Sequence, residues 1–435
     1  MNILVIGNGF DLAHGLPTKY GDFLEFVKVI RQVVKIENRG TCADVEWGKI
    51  HPQIKELIIQ INMNLSKEIL FEMQRCNELL DQNTWIDYFL QCNTHLKENW
   101  IDFEIEIGKV IRSIERDMKK YNCNENSTVH KSSVSFLEKR FVYDLQGMEC
   151  ARVNKAYEEI KRMEESEGRR WNFTKKIDYV NKYKKNHPID SSKEEFTYKQ
   201  MITNLEYDLD RLICALEIYI DIFVTNVPID YKNSDIDGLK LDHVLSFNYS
   251  NTFERIYGDG KEKQIEYDYI HGKAGIDNKI ESNVVLGIDE YLSKNKRNKE
   301  INFIAFKKYY QRIYKGTGCR YKDWIYEIKE GCKITESKLQ KLYPIQIPFN
   351  KFSDHMQHNI YIFGHSLDVT DKDILKELIL NDNVYTTIFY LDRKDLRNKI
   401  TNLVLVIGQD ELIRRTGGST KTIEFKLQQN MVERV

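Results

Sequence analysis

An apolar segment that runs directly into a glycine-rich turn constrains the fold of this chain more than any other feature. Residues 2–6 (NILVI) are almost all β-branched or leucine, which is typical of a strand buried on both faces of a parallel sheet. The turn Gly7-Asn8-Gly9 follows, and a helical pattern begins at Tyr20. Because glycine lets a ligand approach the backbone, the turn predicts a phosphate site. The alternative is a tight strand-to-helix turn, since Leu12 replaces the third glycine of G-x-G-x-x-G.

The rest of the chain is first helical and then alternates between strands and helices. From about residue 47 to 225 only helical patterns occur. Strand patterns return at 241–248, 265–270, 283–288, 359–363 and 384–390. Helical patterns lie between several of them, at 302–314, 370–380 and 393–407. This order predicts one α/β domain with a parallel sheet (1–46 and 236–435) that carries a large all-helical insertion (47–235).

Net charge and cysteine usage limit the classes of partner and compartment. Lys and Arg total 65 and Asp and Glu total 66, so the net charge of −1 gives no overall field that favours nucleic acid or an anionic membrane. The eight cysteines include no C-x-x-C pair and no zinc-finger spacing, which predicts no metal site and a reduced, cytoplasmic protein. Asp11 interrupts the first apolar run, and Glu217 and Asp221 interrupt the most apolar later stretch, 212–224. We therefore expect neither a signal peptide nor a membrane span.

One segment departs from this charge balance. Residues 161–200 carry eleven Lys and Arg against seven Asp and Glu, a local excess of +4, with Trp171, Phe173 and several tyrosines interleaved. Such a stretch is a candidate contact for RNA. The alternative is a solvated helical face or a loop.

Polar residues and glycines stand at the ends of three later strand patterns. Asn248 ends an apolar strand, His271 follows the next strand and precedes a glycine, and Gly364 opens the segment GHSLD. The carboxyl ends of parallel strands meet at one edge, where open α/β sheets bind ligands. Each position also has a structural explanation, such as a core histidine, or a helix cap at Asp368 or Thr370. Together with the first turn, these strand ends predict one ligand site.

Four of these motifs resemble the nucleotide-binding motifs of sirtuins. Residues 7–18 (GNGFDLAHGLPT) are similar to the sirtuin pattern G-A-G-x-S-x-x-x-G-x-P. Residues 247–250 (FNYS) resemble the sirtuin Q-N-x-D and the T-N-Y-D of bacterial sirtuin-like NAD hydrolases. His271-Gly272 resembles their catalytic H-G, and 364–367 (GHSL) their G-x-S-L. Sirtuin deacylases also carry a four-cysteine zinc ribbon, which this chain cannot build, so the resemblance does not extend to deacylation.

The chain as a whole more closely resembles the AbiH family of phage abortive-infection proteins. Its members open with G-N-G-F-D-x-x-x-G-L-P-T and later carry F-N-Y-T, H-G and G-H-S-L-x-x-x-D. They also carry a W-x-D-x-E stretch, which Trp100, Asp102 and Glu104 match. The ordered motifs span nearly the full length of the chain.

The two resemblances imply a sirtuin-like, Rossmann-type sheet and a phage-defence effector that binds NAD and hydrolyses its nicotinamide–ribose bond. They imply catalytic roles for Asn248 and His271. Cofactor-binding roles would fall on Gly7, Asn8, Gly9, Phe10, Asp11, Pro17, Thr18, Gly364, Ser366, Leu367 and Asp368. Abortive infection further implies a phage-derived trigger and an oligomeric switch. Two alternatives stay open: a nucleotide-binding sensor that does not cleave its ligand, and a nucleic-acid-acting effector that uses 161–200.

Asp11 and Ser250 depart from the sirtuin pattern, which has Ser and Asp at these two places. A carboxylate at position 11 would repel a pyrophosphate unless it were turned away or paired. It could instead bond ribose hydroxyls or cap a helix.

Charged residues on two predicted helices have both a functional and a structural interpretation. Asp102 and Glu106 share a helix face and either reach the site or pair with Lys109 or Arg112. A second helix carries a basic stripe that either holds phosphate or faces solvent, formed by Lys307, Lys308 and Arg312.

Overall fold

The computed structural model describes residues 1–36, 45–62, 67–95, 101–129, 150–169, 197–258, 265–275, 282–292, 301–330 and 358–433, with isolated positions between 171 and 186. The chain forms two compact units. Unit 1 comprises Met1–Thr18, Val227–Lys273 and Gly316–Val435, and unit 2 comprises Lys19–Asn226 and Ala274–Lys315. The domain limits expected from the sequence (1–46, 47–235 and 236–435) stay a prediction, and the two units are described separately below.

All named strands lie in unit 1. They are β1 Asn2–Ile6, β2 Tyr231–Asn233, β3 His243–Ser246, β4 Glu266–Tyr269, β5 His358–Phe363, β6 Val384–Tyr390, β7 Ile423–Leu427 and β8 Met431–Glu433. Six strands form a parallel sheet in the order β4-β3-β1-β5-β6-β7, and β2 pairs antiparallel with β8. Numbered within the sheet alone, the order is 3-2-1-4-5-6, as in doubly wound dinucleotide-binding folds. The predicted α/β class with a parallel sheet is confirmed.

The helices are numbered along the chain. They are α1 Asn8–Ala13, α2 Tyr20–Ile36, α3 Pro52–Asn62, α4 Lys67–Leu80, α5 Thr84–His95, α6 Phe103–Lys120, α7 Cys150–Glu167, α8 Tyr198–Ile218, α9 Ser234–Asp237, α10 Thr252–Tyr257, α11 Lys308–Lys315, α12 Lys372–Ile379, α13 Arg393–Ile407 and α14 Gln409–Thr416. Helix α8 continues as a π-helical segment, Tyr219–Val224. A further helical stretch covers 321–330. No helix in the described ranges is both long and apolar enough to cross a bilayer.

The core of unit 1 lies on the central strands of the sheet. Ile3, Leu4 and Val5 of β1 are all fully buried, which explains why this strand shows no polar alternation. Ile3 and Val5 are in register with Ile360 and Ile362 of β5 and share one face of the sheet with them. Apolar residues of α12, α13 and the 321–330 helix complete this core. The buried sheet therefore provides a rigid base for the loops at its ends.

Unit 2 is helical in its described residues, apart from two isolated bridges and connecting segments. Phe103 at the start of α6 is stacked between Tyr20 of α2 (4.2 Å between ring centroids) and Phe89 of α5 (4.1 Å). Helix α8 begins with a capping box, in which Thr197 and Gln200 each accept the other's backbone N–H. The helical patterns predicted between 47 and 225 are thus confirmed where the structure describes them.

Residues 283–288 form no strand, although the sequence predicts one. Val284 and Leu286 are fully buried, but side chains rather than a neighbouring strand bond their backbone. Gln311 accepts the Leu286 N–H (3.0 Å) and donates to the Leu286 carbonyl (2.9 Å), while Lys315 donates to the Val284 carbonyl (2.5 Å). A buried apolar run therefore satisfies its polar groups without joining the sheet, and its composition alone does not reveal this.

The acidic residues of α6 have structural roles. Asp102 caps the helix by accepting the Ile105 N–H (3.0 Å), and Glu106 pairs with Lys109 (2.7 Å). The predicted pairing of Glu106 is confirmed, while Trp100 lies outside the described residues.

The basic stripe at the start of α11 is not solvated. Lys308 is 2 % exposed and pairs with Glu104 (2.7 Å), and Lys307 is 1 % exposed and pairs with Glu290 (2.9 Å). The solvated-face interpretation is wrong for these two lysines, because each is buried and paired with a partly buried carboxylate. Half of the basic stretch 161–200 lies outside the described residues, including all of 187–196.

Candidate functional site

Four loops of unit 1 follow the carboxyl ends of neighbouring strands. We call them the β1 loop (7–9), the β3 loop (247–251), the β4 loop (270–273) and the β5 loop (364–368). Because the four strands are parallel, all these loops lie along the same edge of the sheet. The strand order reverses at β1, so the topological switch point of the sheet is also at this edge.

The β1 and β5 loops meet backbone to backbone. The Gly7 N–H donates to the Phe363 carbonyl (3.3 Å) and the Gly9 N–H donates to the Gly364 carbonyl (2.7 Å). A Cβ on Gly9 would lie 2.7 Å from that carbonyl oxygen, and one on Gly364, at φ +67°, would collide with the backbone nitrogen of Phe10. The lack of side chains at these glycines therefore lets the β1 and β5 loops pack directly against each other. Two N–H groups predicted to bind phosphate already donate to protein carbonyls.

Asn248 in the β3 loop reaches across to the β1 loop. Its side chain is 5 % exposed and its Nδ2 donates to the Gly7 carbonyl (3.0 Å), while its own N–H donates to Ser246 Oγ (3.1 Å). Its Oδ1 is buried and has no hydrogen-bond partner among the described residues. A buried carboxamide oxygen normally has a partner, so this atom is available to accept a hydrogen bond from a ligand or a water molecule.

Asp11 is paired within the protein. It is 1 % exposed, and Oδ2 accepts the hydroxyl of Ser250 (2.6 Å), which also contacts Thr252 Oγ1 (2.8 Å). Burial raises the pKa of Asp11 from 3.8 to about 6, against the opposing effect of these hydroxyls. The helix cap considered from the sequence is wrong for α1, because its N-cap is Gly7 with no side-chain bond. Instead, this carboxylate ties α1 to the start of α10.

His14 at the other end of α1 is held neutral. Its Nδ1 lies 2.7 Å from the Phe10 carbonyl and must carry a proton to bond it. Its Nε2 then accepts from the Tyr257 hydroxyl (3.0 Å), which in turn accepts the Asn233 N–H (2.7 Å). Burial lowers the pKa of His14 from 6.5 to about 4. Helix α1 is thus fixed by one buried acid and one buried base.

A carboxylate lies between two imidazoles at the meeting point of the β4 and β5 loops. His271 Nε2 is 3.6 Å from Asp371 Oδ1, and His365 Nε2 is 3.4 Å from Asp371 Oδ2. The three side chains are 8 %, 4 % and 11 % exposed for His271, His365 and Asp371. Phe247 lies against both rings, 5.7 Å from His271 and 4.4 Å from His365. The cluster is therefore nearly buried beside an apolar ring.

Helix α13 holds the β5 loop in place. Lys399 is 3 % exposed and its ammonium donates to the His365 carbonyl (2.7 Å), while Asn402 donates to the Ser366 carbonyl (2.9 Å). Burial lowers the pKa of Lys399. Leu367 is fully buried at φ +59°, and its N–H donates to His365 Nδ1 (2.9 Å). The left-handed backbone of Leu367 therefore lets the His365 ring accept a hydrogen bond from its own loop.

The remaining residues that were predicted to bind a cofactor differ in their burial and in their hydrogen bonds. Asn8 is exposed and accepts the Thr18 hydroxyl (2.6 Å), whereas Pro17 is buried. The Phe10 side chain is fully buried in an aromatic cluster, so only its backbone is near the loop surface. Asp368 caps the short turn Val369–Asp371 by accepting the Thr370 N–H (3.0 Å), whereas the N-cap of α12 itself is Asp371, which makes no side-chain capping bond.

The sequence interpretation missed His365, Asp371 and Lys399. The first two occupy the H and the final D of G-H-S-L-x-x-x-D, so the motif contained the signal. Their pairing depends on the turn Val369–Asp371, which brings Asp371 back towards the β5 loop. Lys399 lies on a separate helix, and only the fold shows its contact. In the part of the chain that the structure describes, no group of three or more His, Cys, Asp or Glu could hold a metal ion.

The site lies within a region that matches a known family. A family model described as bacteriophage abortive infection AbiH matches residues 3–391. The chain belongs to the AbiH family. The match runs from β1 past the end of β6 and includes all four loops described above. Membership in AbiH implies a role in phage abortive infection. Comparison with curated proteins and with solved structures gives no match.

Proposed function

We propose that this AbiH protein is an abortive-infection effector that hydrolyses NAD at the nicotinamide–ribose bond. The observation that carries the proposal is the placement of Asn248 and His271 at the same edge of the sheet. They follow the carboxyl ends of adjacent parallel strands, β3 and β4, in a sheet with the strand order of dinucleotide-binding folds. A carboxamide and an imidazole at this edge are the residue types that the sirtuin-like motifs assign to NAD cleavage.

The contact between Asp11 and Ser250 supports the sirtuin-like part of the proposal. The sirtuin pattern has Ser at the first place and Asp at the second, and this chain has the reverse. The two side chains are hydrogen-bonded at 2.6 Å, so the exchange keeps one carboxylate and one hydroxyl in contact. The two departures from the pattern are therefore compatible with the same loop geometry.

Cleavage of the nicotinamide–ribose bond requires little acid catalysis. Cleavage of the nicotinamide–ribose bond builds positive charge on the ribose, as in glycoside hydrolysis, and releases neutral nicotinamide from a cationic group. Water supplies the new bond to the ribose carbon and must lose a proton. In our proposal Asn248 Oδ1 accepts a hydrogen bond from that water or from a ribose hydroxyl, and His271 accepts the proton. Phe247 beside the imidazoles helps to exclude other water.

The first test measures NAD in cells that produce the protein, before and after phage infection. We expect the native chain to deplete NAD under at least one condition, and Asn248→Ala and His271→Ala to leave NAD at control levels. Two variants serve as matched controls. Asn251→Ala removes a carboxamide from the same loop as Asn248, and this carboxamide makes no helix-capping bond. His358→Ala removes a histidine at the start of β5, the end away from the candidate site.

Each result has a distinct meaning. Depletion that is lost only in the first two variants supports hydrolysis at this site. Phage resistance with unchanged NAD in every strain contradicts hydrolysis and favours nucleotide sensing or action on nucleic acid. Release of free nicotinamide from NAD by the purified full chain separates direct hydrolysis from a secondary loss of NAD in dying cells.

A further inference from the structure

The β5 loop fixes the protonation state of His365. Left-handed backbone at Gly364 (φ +67°) and Leu367 (φ +59°) brackets His365 and Ser366. For a buried leucine this conformation costs about 1–2 kcal/mol, so the surrounding contacts must enforce it. Lys399 and the bonds from α13 supply those contacts. As a result the Leu367 N–H points at His365 Nδ1, 2.9 Å away.

An imidazole nitrogen that accepts an N–H bond carries no proton. His365 is therefore neutral, with its single ring proton on Nε2. This Nε2 faces Asp371 Oδ2 at 3.4 Å, so the protonated nitrogen of the ring lies next to the carboxylate. His365 can hold Asp371 in place without competing with it for a proton.

The other oxygen of Asp371 faces His271. Oδ1 lies 3.6 Å from His271 Nε2, and a carboxylate oxygen in this position favours the tautomer with the proton on Nε2. That tautomer leaves the lone pair on Nδ1. Among the described residues, the Phe247 ring lies 5.7 Å and the Tyr249 ring 6.5 Å from the His271 ring, measured between centroids. Asp371 is thus the carboxylate that faces His271 from the turn before α12, with His365 behind it on the β5 loop.

We propose that Asp371 and His365 are positioning residues that make His271 Nδ1 the proton acceptor of the site. Asp371 orients the His271 ring, and neutral His365 orients Asp371. The catalytic part of this inference rests on the proposed NAD hydrolysis, whereas the assignment of the two histidine tautomers does not depend on it. In that reaction a water oxygen bonds the ribose carbon as the carbon–nitrogen bond breaks, with its electron pair leaving on nicotinamide. One water proton passes to His271 Nδ1, and Asp371 stabilises the resulting imidazolium until the proton leaves to solvent.

The tautomers can be read without any turnover. Nitrogen NMR of the full chain with ¹⁵N-labelled histidine distinguishes protonated from bare ring nitrogens, and His271→Gln and His365→Gln assign the two signals. We expect both rings to carry their proton on Nε2 in the native chain at neutral pH. Asp371→Asn should mix the His271 tautomers and lower the pKa of that ring by about one unit or more, because a facing carboxylate is lost.

Asp368→Asn is the matched control. Asp368 lies three residues before Asp371, and its carboxylate accepts the Thr370 N–H but faces neither imidazole of the cluster. This control should leave both tautomers and the His271 pKa unchanged. A His365 ring protonated on Nδ1, or a His271 signal that ignores Asp371→Asn, would overturn the inference. An equal response to both variants would do the same, because it would indicate a general rearrangement of the turn.

A kinetic arm separates this inference from the proposed function. If the native chain releases nicotinamide, Asp371→Asn should lower kcat by about 10²–10⁴-fold with little change in KM, by analogy with loss of the orienting carboxylate in other His–Asp pairs. The pH at which activity appears should also move with the His271 pKa. Expected tautomers without NAD turnover would retain the positioning network and reject NAD as the substrate. Turnover that Asp371→Asn leaves intact would reject the positioning role alone.

Discussion

The two halves of the carboxyl edge of unit 1 are built in opposite ways. The β1 and β5 loops touch through glycine backbone, and hydrogen bonds between them close the space at the switch point. The β3 and β4 loops instead present polar side chains: Asn248 donates to the Gly7 carbonyl of the β1 loop, and His271 faces Asp371. The difference teaches that glycine motifs which look like ligand loops can serve mainly to bring two loops together. The candidate chemistry lies beside that junction, on the side-chain half.

The largest effect should come from adding one methyl group at the glycine junction. Gly364→Ala forces a Cβ against the backbone of Gly9 and Phe10 at a positive φ, and backbone cannot move aside as a side chain can. We expect a loss of at least ~4 kcal/mol of unfolding free energy, or no folded unit 1 at all. The measurement is the urea midpoint followed by circular dichroism and by tryptophan fluorescence.

Gly15→Ala is the control for backbone strain without crowding. Gly15 has φ +77°, but an added Cβ there meets nothing within 4 Å. Its cost should be limited to about 1–2 kcal/mol. Equal losses in the two variants would mean that strain alone explains Gly364, and the contrast between the two halves of the edge would then lose its structural basis.

Asp11→Asn should stabilise the chain at neutral pH. Because burial raises the pKa of Asp11 from 3.8 to about 6, the folded chain binds this proton more tightly than the unfolded chain. The native protein therefore loses about 3 kcal/mol of stability as pH rises from below 4 to above 6, and the neutral amide does not. Asn can still accept the Ser250 hydroxyl. The gain in urea midpoint should be present at pH 7 and absent below pH 4, and a gain that is independent of pH would contradict this account.

His14→Gln should show the opposite pH dependence. Burial lowers the pKa of His14 from 6.5 to about 4, so the unfolded chain binds this proton more tightly. The native protein therefore loses up to about 3 kcal/mol as pH falls from 6.5 to 4, and glutamine removes that loss. The variant is less stable than the native chain at pH 7, since it loses the bonds to Phe10 and Tyr257, but the deficit should shrink on acidification. A deficit that grows towards pH 4 would show that His14 is not buried as a neutral ring.

The sequence was sufficient for most of the sheet but not for strand β7 or for the positioning network. Strands β1, β3, β5 and β6 show apolar patterns because they are buried between neighbours, and the edge strand β4 was also predicted. Strand β7 was missed because it has no continuous apolar run, with Lys426 and Leu427 exposed. The cluster around Asp371 was missed for another reason. The tautomer of His365 depends on the left-handed backbone of Leu367, and leucine gives no sign of that conformation in a sequence.

The smallest change tests whether the glycine half of the edge also contacts the ligand. Thr18→Val removes a hydroxyl that donates to Asn8 Oδ1 at 2.6 Å on the surface, so the unfolding free energy should fall by no more than about 1 kcal/mol. If Asn8 and Thr18 bind NAD as the motif resemblance implies, the same change should weaken NAD binding by about 2- to 10-fold, which corresponds to one hydrogen bond. Calorimetric titration on a His271→Ala background measures affinity without turnover, and Thr401→Val on the exposed side of α13 is the control. An affinity that Thr18→Val leaves unchanged would reduce the β1 loop to a structural role, and NAD contacts would then have to come from the β3 and β4 loops alone.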